Sequence, residues 1–215
     1  MRQAPVSSGL LSIALAAALL PAIPAPAAAD GPVVVRTYDA SGIAEADHAA
    51  ARYVATAILE EAGLDVVWLA CDRATAGMTS HPCLSPLGAH ELAVRLVRLS
   101  PQGTDDHHVV TLGYSLVETE VRVGSLATIY VERVAGLAAS ATVDLPTLLG
   151  RAIAHEIGHL LLGTGTHSGA GVMRAVWSPR MLRRNKTGDW AFTTREAKAL
   201  RDAVRRRAPR AAHTW

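Results

Sequence analysis

The chain is poor in cysteine, in long apolar runs and in net charge. Only Cys71 and Cys83 occur among 215 residues, which leaves no framework for a disulfide-dense scaffold or a multi-cysteine metal cluster. The longest apolar run, Leu10 to Leu20, has about eleven residues against the ~20 that span a bilayer. No segment is expected to cross a membrane. Formal net charge is +2, so no nucleic-acid partner is expected. There are no internal repeats, no Ser–His–Asp arrangement and no glycine loop suited to cradling phosphate.

The apolar run is better explained by export. Arg2 provides a thin positive start, Pro21 to Pro26 interrupt the run, and Ala27-Ala28-Ala29 precede Asp30. Residues 1–29 therefore read as a cleaved signal peptide, leaving 30–215 as one catalytic domain with a basic tail, secreted or periplasmic. An oxidising compartment would let Cys71 and Cys83, twelve positions apart, form a disulfide. Closing a loop of that size stabilises by roughly 3 kcal/mol in the chain-entropy description. A Cys–Cys–His site with His81 is the sharper alternative, but it lacks a fourth ligand and close cysteine spacing. About three residues separate the cleavage site from the first strand, too few for a propeptide.

Charge is unevenly placed: twelve of the 21 Lys and Arg residues lie from Arg174 onward. The tail Arg205-Arg206-Arg207-Ala208-Pro209-Arg210 suits either an anionic surface or, as is commoner, a solvated helix end.

Periodicity gives five strands and three helices. The strands are Val33–Val35, Asp65–Ala70, Glu91–Leu99, Val109–Leu116 and Leu126–Val131. Helical spacing runs from Ile43 to Glu61 and stops at Gly63. A second helix begins after Asp144, a plausible N-cap, and ends at Gly163. A third starts at Thr193, where Thr193-Thr194-Arg195-Glu196 matches a capping box.

The second helix carries the chemistry. His155-Glu156-Ile157-Gly158-His159 is an H-E-x-x-H pattern. Residues four apart share a helix face, so both imidazoles can address one point. Imidazole nitrogen binds Zn²⁺ at about 2.0–2.1 Å, and a glutamate beside the first ligand can take a proton from water. Between Leu148 and Leu162 only Arg151 and the motif residues are charged or titratable. Polar groups on such an apolar helix are costly to bury unless something satisfies them, and a metal would. A catalytic zinc needs a third protein ligand, for which His167 is the candidate; Gly163 and Gly165 would let the chain fold back. Met173 follows six residues later.

These residues resemble the metzincin clan of zinc metallopeptidases, whose motif is H-E-x-x-H-x-x-G-x-x-H followed by a methionine turn. The resemblance implies an α/β (α+β) fold: a twisted five-stranded mixed sheet, an active-site helix and a C-terminal helix. It further implies Zn²⁺ held by His155, His159 and His167, Glu156 as general base, Met173 beneath the metal, and a peptide or protein substrate cut by a zinc metalloendopeptidase. This chain departs from the pattern, because Leu162 and Gly165 stand where the family has its glycine and third histidine. Either a wider loop delivers His167, or another group serves. Glu196 is the rival, as in the glutamate-liganded (gluzincin-type) zinc hydrolases, although it also fits the capping box of its own helix.

The fourth strand is the expected edge strand, able to hold an extended substrate. His107-His108 after Asp105-Asp106 could bind a second cation, and Trp177 could wall the pocket. His48, His81, His90 and His213 read as surface or core histidines. The functional alternatives are a zinc-binding but catalytically silent module that captures a peptide or surface polymer, and a zinc hydrolase of cell-wall amide bonds. A monomer is expected.

Overall fold

The computed structural model describes residues 31–71, 81–98 and 111–207. The segment expected to be a signal peptide, the Asp105–His108 cluster and the tail beyond Arg207 lie outside the described residues.

Five strands form one mixed sheet in the order β2-β1-β3-β5-β4. They are β1 (Val33–Ala40), β2 (Val66–Ala70), β3 (Glu91–Val97), β4 (Gly113–Glu118) and β5 (Val123–Tyr130). β1 pairs parallel with β2 and β3, and β3 parallel with β5. Among the described residues β4 alone is antiparallel, against β5, and it lies at one edge of the sheet. Parallel strands need long crossovers. The first is α1 (Glu45–Glu61), which joins β1 to β2.

The expected mixed five-stranded sheet with helices is what the chain adopts. Two details differ. β4 begins at Gly113 rather than Val109, and positions 109–110 lie outside the described residues. The apolar run from Leu126 to Val131 does not end in a loop. It passes directly into a helix, α2 (Val131–Ala141), that the sequence reading did not anticipate. Tyr130 at its N-cap makes no side-chain cap bond, so no Ser, Thr, Asp or Asn marks the start. Val131, Val134, Ala138 and Ala141 form its buried stripe.

The helix α3 (Leu145–Leu162) is the centre of the molecule, with every residue from Leu148 to Leu161 buried. Asp144 caps its start by accepting from Thr147 N at 2.9 Å, with proline in the first turn where its missing N–H costs nothing. α3 packs on α1, α2, β4 and β5. Leu148, Leu149, Ile153, Ile157, Leu160 and Leu161 are almost wholly excluded from solvent, each worth roughly 1.5–3 kcal/mol of burial. That apolar contact fixes the helix rotation and hence where its polar residues point.

After α3 come α4 (Pro179–Arg184) and α5 (Thr194–Arg207). The capping box at α5 is present: Thr193 N donates to Glu196 Oε2 at 2.8 Å and Glu196 N to Thr193 Oγ1 at 3.3 Å. Arg205 and Arg206 are exposed, while Arg207 bonds the backbone oxygens of Gly124 and Leu160. Part of the basic run is therefore a structural helix end. Cys71 and Cys83 are disulfide-bonded with Cα atoms 5.6 Å apart. His81 Nδ1 accepts from Cys83 N at 3.2 Å, so these residues do not form the alternative metal site. No helix of the described residues is long and apolar enough to cross a membrane.

Candidate metal centre

His155 and His159 lie one turn apart on α3, and both are buried. The helix places their Nε2 atoms 3.0 Å apart, and His167 Nε2 lies 3.3 Å from that of His159. One ligand atom from each of the three falls within 4.8 Å of the others. The longer connection after Leu162 does bring His167 to the pair.

The turn that achieves this rests on one glycine. Gly163 caps α3 in the left-handed region at φ 63°, ψ 41°, a conformation that costs a side-chain-bearing residue about 1–2 kcal/mol. Gly165, also expected to supply a positive φ, does not: it is absent from the left-handed region and has open space around it. Gly163 N and Thr164 N both donate to His159 O, at 3.0 and 3.4 Å. The returning chain then offers Thr164 O to His159 Nδ1 at 2.8 Å.

His155 is held in the same way, with Nδ1 2.8 Å from Val172 O. A carbonyl oxygen only accepts, so in both rings the proton sits on Nδ1 and leaves Nε2 with a bare lone pair. Burial, with the neighbouring imidazoles adding to it, pushes His155 down to about 4. Burial also lowers His159 and His167. The rings are neutral at ordinary pH, and two unprotonated nitrogens face each other at 3.0 Å. That contact is repulsive unless a cation lies between them. Nitrogens about 2.0–2.1 Å from one tetrahedral ion stand roughly 3.3 Å apart, close to the spacing found. The donor set fits a metal ion.

Met173 is 1% exposed. A Cβ placed on Gly158 would meet its Sδ at 2.6 Å, so the missing side chain lets the methionine press against the helix between the two histidines. Trp177 stands edge-on to His155 with ring centroids 5.6 Å apart, and edge-on to Trp190 at 5.4 Å.

A cleft of about 770 Å³ opens over the triad. Leu112, Leu137, Ala152, Val176, Trp177 and Pro179 give it an apolar wall. Glu156 lies in the same wall with its carboxyl buried, and burial raises it to about 7 against the lowering effect of a Ser115 hydrogen bond. Glu196 is not among the triad or the cleft residues; its carboxylate serves Thr193. Sequence reading placed Leu112, Gly113 and Ser115 in the expected substrate-holding edge strand, but it missed the contact of Ser115 with Glu156 and the lining by Leu137. Their identities carry no motif, and only the strand register and the α2 packing bring them here.

No protein-family model matches the chain, and no curated protein does. Among solved structures, a zinc-dependent peptidase from Methanocorpusculum labreanum (strain Z) aligns with a TM-score of 0.48 and 15% identity, over 77% of this chain and 99% of that one. Archaemetzincin from Methanopyrus kandleri aligns at 0.47 and 14%, over 80% and 96%. Likeness at this level carries no argument about chemistry, which rests on the residues themselves.

Proposed function

We propose that the chain is an exported zinc metalloendopeptidase of metzincin-like build. The observation that carries this reading is the convergence of three imidazoles, with Nδ1 committed to a backbone carbonyl in two of them, beside a buried glutamate in an open cleft. His155, His159 and His167 would hold the ion through Nε2. A bound zinc supplies a Lewis acid that polarises a carbonyl and makes water more acidic.

Glu156 is the proton carrier. Its carboxyl is buried in the cleft wall beside the helix histidines, placed to accept a proton and return it. It takes one proton from the attacking water as the new C–O bond forms. It delivers that proton to the leaving nitrogen as the C–N bond breaks. The apolar wall excludes bulk water from the exchange. The edge strand β4 borders the cleft through Gly113, Tyr114 and Ser115, and its outer edge, which no strand among the described residues covers, suits pairing with an extended peptide. The disulfide favours an oxidising compartment, in keeping with export.

The test is zinc-loaded protein incubated with a peptide library, with Glu156→Gln as control. Cleavage by the wild type, lost in the variant while zinc stays bound, is expected. Stoichiometric zinc with no cleavage of any peptide would leave a binding module instead.

A further inference from the structure

β4 has its only strand partner among the described residues in β5. Tyr130 N donates to Leu112 O at 2.9 Å, and the register pairs Tyr114 with Thr128 and Leu116 with Leu126. In an antiparallel ladder, hydrogen-bonded and non-hydrogen-bonded pairs alternate. Leu112, Tyr114 and Leu116 therefore turn their backbone groups toward β5. Gly113 and Ser115 turn theirs to the free edge.

Side chains stand out of the sheet plane, perpendicular to those backbone bonds. The Ser115 side chain points to α3, where Oγ lies 2.7 Å from Glu156 Oε2 and 2.9 Å from Glu156 O. A hydroxyl has one proton to give, and a carboxylate is the stronger acceptor. The other carboxylate oxygen sits over Gly113: a Cβ there would be 3.1 Å from Glu156 Oε1 and 2.7 Å from Thr128 O. Two edge positions on the same face of β4 thus treat the two oxygens differently. Ser115 engages one, and the bare glycine leaves the other room at the cleft.

We propose that Ser115 is a positioning residue that fixes Glu156 by Oε2, so that Oε1 is the atom that exchanges the proton. Because the backbone of the same residue faces the edge where an extended substrate pairs, Ser115 also ties the register of the bound peptide to the position of the base. The inference rests on the peptidase reading, and its test separates the two.

Ser115→Ala and Ser115→Thr, both zinc-loaded, are compared with wild type. Ser115→Ala is expected to lower kcat by about 10- to 100-fold, the range seen when a supporting hydrogen bond at a metal site is lost. KM and zinc affinity should stay near wild type. Ser115→Thr returns the hydroxyl and should restore most of the rate. An unchanged kcat, or zinc affinity falling in step with kcat, would overturn the assignment. A crystal structure of Ser115→Ala gives a reading independent of turnover. The Glu156 carboxylate is expected to leave its wild-type position, and a carboxylate that stays in place would overturn the proposal. If no peptide is cleaved by any form, wild type included, the peptidase reading fails while the structure still decides the role of Ser115.

Discussion

Replacing Gly163 with alanine should destabilise the fold and loosen the metal centre together. The residue holds φ 63°, which costs a non-glycine side chain about 1–2 kcal/mol. An added Cβ would also stand 2.5 Å from Arg122 C and 2.6 Å from Arg122 Cα, with the carbonyl oxygen nearer still. These are backbone atoms, so no side-chain rotation relieves the contact, and overpacking of this kind costs about 1–3 kcal/mol. Alanine returns about 0.4–1 kcal/mol by stiffening the unfolded chain. The net loss is about 1–5 kcal/mol, which for a domain of this size lowers Tm by roughly 2–4 °C for each kcal/mol. Any shift of the turn moves Thr164 O away from His159 Nδ1, now at 2.8 Å, and displaces His167. Zinc affinity should therefore fall about 10- to 100-fold as well. Metal-free thermal melts followed by circular dichroism measure the first effect, and competition against a coloured chelator measures the second. Gly165→Ala is the control. Gly165 has open space and no left-handed backbone, so alanine there should be neutral or stabilise by up to about 1 kcal/mol. A Gly163→Ala protein that melts together with the control and binds zinc as tightly would refute the reasoning.

Two further outcomes follow from the site and its support. His167→Ala should weaken zinc binding severely, whereas Glu196→Ala should keep zinc and lose only a helix cap, about 0.5–2 kcal/mol; zinc lost only in the Glu196 variant would reverse the ligand assignment. Asp189 is held below the usual carboxylate range by Arg184 first, at 2.6 Å, and by Arg174 at 3.2 Å. With the folded value depressed, its contribution is full above the unfolded value near 4 and disappears as pH falls through the folded one. The Tm difference between wild type and Asp189→Asn should thus be constant at neutral pH and shrink on acidification below about pH 4, and a difference that grows in acid would contradict the ion-pair account.

Much of the site was legible where the geometry is local. The pairing of His155 with His159 needs only 3.6 residues per turn, and the run of apolar neighbours announces that the helix is buried. Asp144 and the Thr193–Glu196 box marked helix starts through bonds spanning three residues. α2 was not legible because β5 runs straight into it at Val131 without a capping side chain, and its stripe consists of small residues. An apolar stretch serving first as strand and then as helix has no punctuation for a reader of sequence to find.

Spacing alone put His155, Glu156 and His159 on a single stretch of helix with both imidazoles on one face, because a regular helix converts spacing into direction. The sequence also singled out His167, but not whether a connection longer than the family pattern could return it. That return depends on long-range packing, through one left-handed glycine set against the Arg122 backbone. The same holds for Ser115, which is 41 residues from Glu156 in the chain. Its contact exists because the β4–β5 register and the packing of α3 place a strand over a helix. Such meetings depend on the burial of many distant side chains at once, and no local pattern encodes them.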